Sequence, residues 1–273
     1  MSPLQAIILG VIQGLTEFLP ISSSGHLVIL PYFLKWDLNS TESYIFNILV
    51  QIGTLLAVIF YFRSDLLAII KDFFKQIFAG QPFGTQNARL GWLLIIATIP
   101  AGIIGLLFED AVEQAFSSPR FVGIALIITG ILMVIAEIVN KKIGDIHDIT
   151  LPVSLLMGFM QSLAIFPGIS RSGSTISGGM FSHIRRKEAG KFSFLMSIPI
   201  MLAAGALSTY KLVAEIPEPE GFLPVLLLGF LTAAIVGYIA IRWLLKFLSE
   251  HSLIYFSIYC FLLGGITIMV SIL

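Results

Sequence analysis

The sequence holds a single cysteine, Cys260, so no internal disulfide can form; its place in a late apolar run reads as a small buried residue. Charge is also scarce. Asp, Glu, Lys and Arg make up 12% of the 273 residues and cancel to a net of zero, which argues against a nucleic-acid partner. No cation precedes Lys35, so the apolar N-terminus lacks the basic flank of a cleavable signal and is expected to stay in the mature chain. His147, His183 and His251 lie in polar connections without the spacing of metal ligands and are expected at the surface. What remains is hydrophobic. Apolar residues reach 57%, with a mean hydropathy of +0.96, a composition that excludes an ordinary soluble domain and points to a chain that crosses a membrane several times.

Apolar stretches near 44–62, 89–108, 119–140, 191–211, 222–245 and 253–273 are each long enough, at about 20 residues, to cross a bilayer. Two more, 3–34 and 150–182, are interrupted by Pro, Gly and Ser clusters, and each arm is shorter than a comfortable span, so both read as re-entrant hairpins. Residues 66–79, with Lys71, Asp72, Lys75 and Gln76 among Leu, Ile and Phe, read as an amphipathic helix lying in the interface. The connections 63–91, 141–148, 183–191 and 242–251 hold most of the Lys and Arg and are expected to face the cytoplasm; 109–118 and 215–220 are acidic and are expected outside. The Arg185-Arg186-Lys187 cluster then serves as a topology determinant.

The chain also repeats itself. Residues 10–26 (GVIQGLTEFLPISSSGH) and 158–174 (GFMQSLAIFPGISRSGS) align without a gap at an offset of 148, with eight of 17 positions identical. The expected fold is therefore an all-α integral membrane protein of six transmembrane helices plus two re-entrant hairpins. Residues 1–140 (hairpin 3–34 and three spans) form the first repeat and 150–273 (hairpin 150–182 and three spans) the second, within one membrane domain. Because each half makes an odd number of crossings, the second copy is inverted, and the shared site is expected near the midplane where the broken segments meet. Gly10 and Gly14 suggest close helix packing. Gln51 and Ser197-Ile198-Pro199 interrupt apolar helices and are candidates for the walls of the site.

The chemistry is concentrated in the two breaks. Gln13 and Glu17, four residues apart, project from one helix face; Pro20 stops that helix, and Ser22, Ser23, Ser24 and Gly25 open the next, with His26 following. A helix start rich in Ser and Gly is an anion site, because unpaired N–H groups and the positive dipole end both point at the ligand. The second break, Pro167 to Thr175, repeats that layout but sets Arg171 where the first has Ser23. A guanidinium at membrane depth costs several kcal/mol unless it meets an anion, and its planar fork suits phosphate. Carboxylate, imidazole, arginine and many small donors together fit phosphoryl transfer: Arg171 and the N–H groups hold phosphate, a Ser or a water attacks, and Glu17 or His26 moves protons.

Gln13-Gly14-Leu15-Thr16-Glu17, Pro20-Ile21-Ser22-Ser23-Ser24-Gly25-His26 and Pro167-Gly168-Ile169-Ser170-Arg171-Ser172-Gly173-Ser174-Thr175 resemble the two signature regions of the bacterial undecaprenyl-diphosphate phosphatase family of the bacitracin-resistance type. The family's first motif is Glu or Gln, three residues, then Glu; here only the second acid is present. The resemblance implies hydrolysis of undecaprenyl diphosphate to the monophosphate and inorganic phosphate, recycling the lipid carrier for cell-wall synthesis. It implies a multi-pass protein of the bacterial cytoplasmic membrane with its site open to the outer face, assisted by a divalent cation such as Mg²⁺; a homodimer is compatible with it. It carries Glu17, Ser23, His26 and Arg171 over as the catalytic core, to which we assign Ser23 as nucleophile (a directly attacking water being the alternative), His26 as general acid/base, Arg171 as phosphate clamp, and Glu17 as orienting His26 or holding the cation. Gln13, Ser22, Ser24, Gly25, Ser170, Ser172, Gly173 and Thr175 are the expected substrate-binding residues. Two other readings compete. Inverted repeats with broken helices are also transporter architecture, so a flippase of polyprenyl phosphates is an alternative. An intramembrane serine protease using Ser23 and His26 would have no use for Arg171.

Overall fold

Proline, glycine and serine set the breaks in an otherwise helical chain. The computed structural model describes residues 1–38, 40–215 and 223–272; among them the regular structure is helical throughout, apart from one isolated bridge between Gly144 and Ile184. Helix α1 (Pro3–Phe18) starts from a Ser2 capping box with Pro3 in its first turn and stops before Pro20; α2 (Ser23–Leu34) completes the first hairpin. Then come α3 (Ser40–Tyr61), α4 (Arg63–Phe78), α5 (Gln86–Leu107), the short α6 (Glu109–Phe116) and α7 (Pro119–Val139). The second half holds α8 (Leu151–Leu163), α9 (Arg171–Phe181), α10 (Arg186–Glu215), α11 (Leu223–Glu250) and α12 (Ile254–Val270).

By length and composition α5, α7, α10 over Arg186–Leu207, and α11 can cross a membrane; a fifth crossing follows if Ile45–Tyr61 is counted with Arg63–Phe78, a pair bent by 76°. The chain is a multi-pass membrane protein. Ile99 and Ile103 of α5, Ile131 and Ile135 of α7, and Ile235 and Ile239 of α11 stand outward as aliphatic bands that a water-soluble protein does not carry. Six spans are expected from the sequence, and two of them differ here. The stretch 253–273 contracts to the 17 residues of α12, about 25 Å at 1.5 Å per residue against a hydrocarbon core of about 30 Å. The stretch 44–62 turns sharply at Phe62 into α4, which exposes Leu67, Phe74 and Phe78 as an interfacial helix would. The acidic connection 109–118 is itself helical, as α6; of the other, residues 216–220 lie outside the described residues, as do Asn39 and Leu273.

Packing is reciprocal between the halves. Helix α1 lies along α11, and α8 along α5; α3 packs on α11, and α10 on α5; α7 packs on α12. Matched glycines allow the first two approaches: a Cβ at Gly10 would sit 2.7 Å from Gly229 O, and one at Gly158 2.5 Å from Ala97 O. Phe18 at the end of α1 meets Phe194 of α10 edge to face, with ring centroids 5.4 Å apart. The basic connections gather at one end. There Arg186 grips Glu137 through Nε at 2.6 Å and through Nη2, while Glu137 also accepts from Leu253 N at 2.8 Å, tying α10, α7 and α12 together. Lys191 pairs with Asp65 at 2.6 Å, and Arg185 with Asp145.

Candidate functional site

The two breaks converge on a cavity of about 350 Å³, within the size range of ligand sites. Gln13, Glu17, Ser22, Ser23 and Ser24 line it from the first hairpin, and Gln161, Ile165, Ile169, Ser170 and Arg171 from the second. Asn47 and Gln51 of α3, Ala101 of α5, Phe116 of α6, and Ile200, Met201 and Ala204 of α10 complete the wall. The cavity thus extends toward the α6 end, away from the basic connections.

At its centre the halves are joined. Arg171 Nη2 donates to Glu17 Oε1 at 2.7 Å, and Glu17 Oε2 accepts from Ser23 Oγ at 2.6 Å and from Gln13 Nε2 at 3.1 Å. Gln13 Nε2 also reaches Thr54 Oγ1 at 3.4 Å. With 14% and 8% of their side chains exposed, Arg171 and Glu17 are shielded from water, so losing either would strand a charge in the interior. Arg171 is steered from behind. Its Nη1 donates to Ser193 O at 3.5 Å, while Thr175 Oγ1 bonds both Arg171 O, at 2.7 Å, and Ser193 Oγ, at 2.6 Å.

The sequence repeat is a repeat of helix caps. Ser22 Oγ accepts from Gly25 N at 3.2 Å and pairs with Ser24 Oγ at 3.2 Å; at the same offset Ser170 Oγ accepts from Gly173 N at 3.1 Å and pairs with Ser172 Oγ at 3.2 Å. The starts of α2 and α9, with their unshared N–H groups and positive dipole ends, therefore face one cavity together with a guanidinium. Ser22 has φ 68°, a left-handed backbone that a non-glycine residue holds only under constraint. His26 bonds the Ser22 carbonyl. Its Nδ1–H donates to Ser22 O at 2.7 Å, which leaves Nε2 to accept from the Tyr259 hydroxyl at 2.7 Å, the two rings stacked 5.7 Å apart.

The expected site residues thus divide into two sets. Gln13, Glu17, Ser22, Ser23, Ser24, Ser170 and Arg171 line the cavity. Gly25, His26, Ser172, Gly173 and Thr175 lie outside the lining and shape it through caps and backbone bonds, Ser172 Oγ reaching across to Leu19 O at 3.0 Å. The expectation that Glu17 orients His26 is corrected: its carboxylate is taken by Arg171, Ser23 and Gln13, and the imidazole by Ser22 and Tyr259. Gln51 joins the wall as expected, whereas on α10 the lining begins at Ile200, just after Ser197-Ile198-Pro199. Thr54, Ser193 and Tyr259 carry no motif that could have marked them. Gln161 did carry a signal, its identity with Gln13 in the repeat.

Among the described residues no three His, Cys, Asp or Glu side chains group as a metal cage. Glu17 is the one carboxylate lining the cavity there, a donor set that fits Mg²⁺ only as an ion shared with substrate phosphate oxygens.

A family model described as bacitracin resistance protein BacA matches residues 6–266. The chain is 40% identical over 271 residues to an undecaprenyl-diphosphatase of Chlorobium phaeobacteroides (strain BS1), covering 97% of this chain and 95% of that protein. It is 41% identical over 263 residues to the undecaprenyl-diphosphatase of Rubrobacter xylanophilus, covering 96% of each. It is 39% identical over 280 residues to that of Methanosphaera stadtmanae, covering 98% of each.

Proposed function

Because the chain belongs to the bacitracin resistance protein BacA family, we propose that it hydrolyses undecaprenyl diphosphate to undecaprenyl phosphate and inorganic phosphate, so returning the lipid carrier to cell-wall synthesis. One observation carries this reading: a hydroxyl bonded to a carboxylate, itself bonded to a guanidinium, all facing a cavity at two helix starts. Phosphoryl transfer needs a nucleophile, a proton acceptor and preorganised positive charge, and these supply it.

Ser23 Oγ attacks the terminal phosphorus while Glu17 Oε2 takes its proton. The bond to the bridging oxygen breaks, and undecaprenyl phosphate leaves carrying the proton that Glu17 took, which returns Glu17 to its carboxylate. Arg171 and the N–H groups at the starts of α2 and α9 hold the equatorial oxygens. Glu17 then accepts a proton from a water that attacks the phosphoserine, and Ser23 recovers its hydrogen as inorganic phosphate is released. A divalent cation, when bound, would be held by Glu17 and would offset phosphate charge. In this scheme the proton travels through Glu17, and His26 works by holding Ser22 and the start of α2 in place.

The reciprocal packing of α1 on α11 and α8 on α5, with the basic connections at one end, supports the reading of residues 1–140 and 150–273 as inverted repeats of one hairpin and three crossings. Extension of the cavity toward α6 supports a site open to the outer face of the cytoplasmic membrane. A transporter would share this architecture but would not need a carboxylate–serine pair in one half alone. The deciding measurement is phosphate release from undecaprenyl diphosphate by purified protein in detergent, where there is no gradient to dissipate. Ser23→Ala is expected to lower kcat by at least about 100-fold with folding intact. No release by the unaltered chain across a series of divalent cations would refute the assignment.

A further inference from the structure

Gln161 is a buried polar group that the chemistry above does not use. It is 3% exposed and lines the cavity, yet neither its amide oxygen nor its amide nitrogen has a hydrogen-bond partner among the described residues. Its repeat counterpart Gln13 is equally buried but is engaged by Glu17 and Thr54. An orphaned amide inside a protein is costly and calls for a partner. Ala101, Phe116, Ala164, Ile165 and Ile169, which line the same cavity, carry only hydrocarbon side chains.

We propose that Gln161 Nε2 donates to the phosphate that stays on the lipid, marking where the prenyl chain leaves the cavity along the α5–α8 wall. The inference rests on the phosphatase reading. Arg171, Ser23 and Glu17 surround the phosphoryl group in transfer, so the second phosphate must lie beside them, on the side from which an apolar tail can depart. Ala101, Ala164 and Ile165 of this lining are apolar, and Gln161 is the one hydrogen-bonding side chain that α5 and α8 contribute to it.

The test compares the full chain with Gln161→Leu and Gln161→Glu in detergent. For Gln161→Leu we expect KM for undecaprenyl diphosphate to rise about tenfold with kcat changed less than about threefold, the loss of one hydrogen bond to a charged group. Inhibition by undecaprenyl phosphate should weaken by a similar factor, inhibition by inorganic phosphate should not change, and the thermal midpoint should not fall, because an apolar side chain of similar size replaces an unpaired polar one. Gln161→Glu should bind the lipid monophosphate more weakly still, by charge repulsion. Unchanged KM and product inhibition, a change confined to inorganic phosphate, or a lower thermal midpoint would each overturn the assignment. The rise in thermal midpoint given by undecaprenyl phosphate tests it without turnover. If that rise is smaller in Gln161→Leu while the unaltered chain releases no phosphate, the phosphatase reading fails and the lipid-phosphate contact stands.

Discussion

Glu17 and Arg171 hold opposite charges in the protein interior, and each is balanced by the other 2.7 Å away. Arg171→Met is expected to cost about 3–5 kcal/mol of stability by leaving Glu17 buried and unpaired, and Glu17→Gln/Arg171→Met to recover much of it; denaturant titration of both variants checks this. Tyr259→Phe removes one neutral hydrogen bond from an imidazole outside the cavity lining, so kcat should fall less than about tenfold. A loss above about 100-fold would put His26 in the proton path. These residues also mark the limit of what the sequence discloses. Glu17 and Arg171 are legible because charges are rare in apolar runs, and Ser22 and Ser170 because they recur at one offset. Tyr259, 233 residues from His26, belongs to no motif, and only folding brings it there.

At the level of elements, the two hairpins were readable because Pro20 and Pro167-Gly168 interrupt hydrophobic runs too short to span in each arm. The bend at Phe62 was not, since Arg63 and Asp65 mark the end of an apolar run without giving its angle. Helix α6 was missed for a related reason: acidity signals exposure, not conformation. Reciprocal packing of α1 and α8 predicts that their small residues are intolerant of bulk. Gly158→Leu should lower stability by at least about 2 kcal/mol, because its Cβ would strike the α5 backbone at Ala97 O. Gly102→Ala, on the same α5 but with no atom within 4 Å of an added Cβ, should be neutral or stabilising by up to about 1 kcal/mol. Thermal unfolding in detergent separates the two.

Across the molecule, Lys142, Arg185, Arg186 and Lys187 cluster at the end opposite α6, the end that its positive charge predicts to be cytoplasmic. In a Cys260→Ala background, cysteine introduced at Lys187 should react with an impermeant maleimide only from the cytoplasmic side and one at Ser117 only from outside; labelling of both from one side would contradict the inverted arrangement. The bond between Glu17 and Arg171 has a corollary. A pair of first halves would bring two carboxylates together with no cation, and a pair of second halves two guanidiniums with no acid. The acid comes from one break and the cation from the other. Carrying both on one polypeptide means that every acidic tip finds a basic mate.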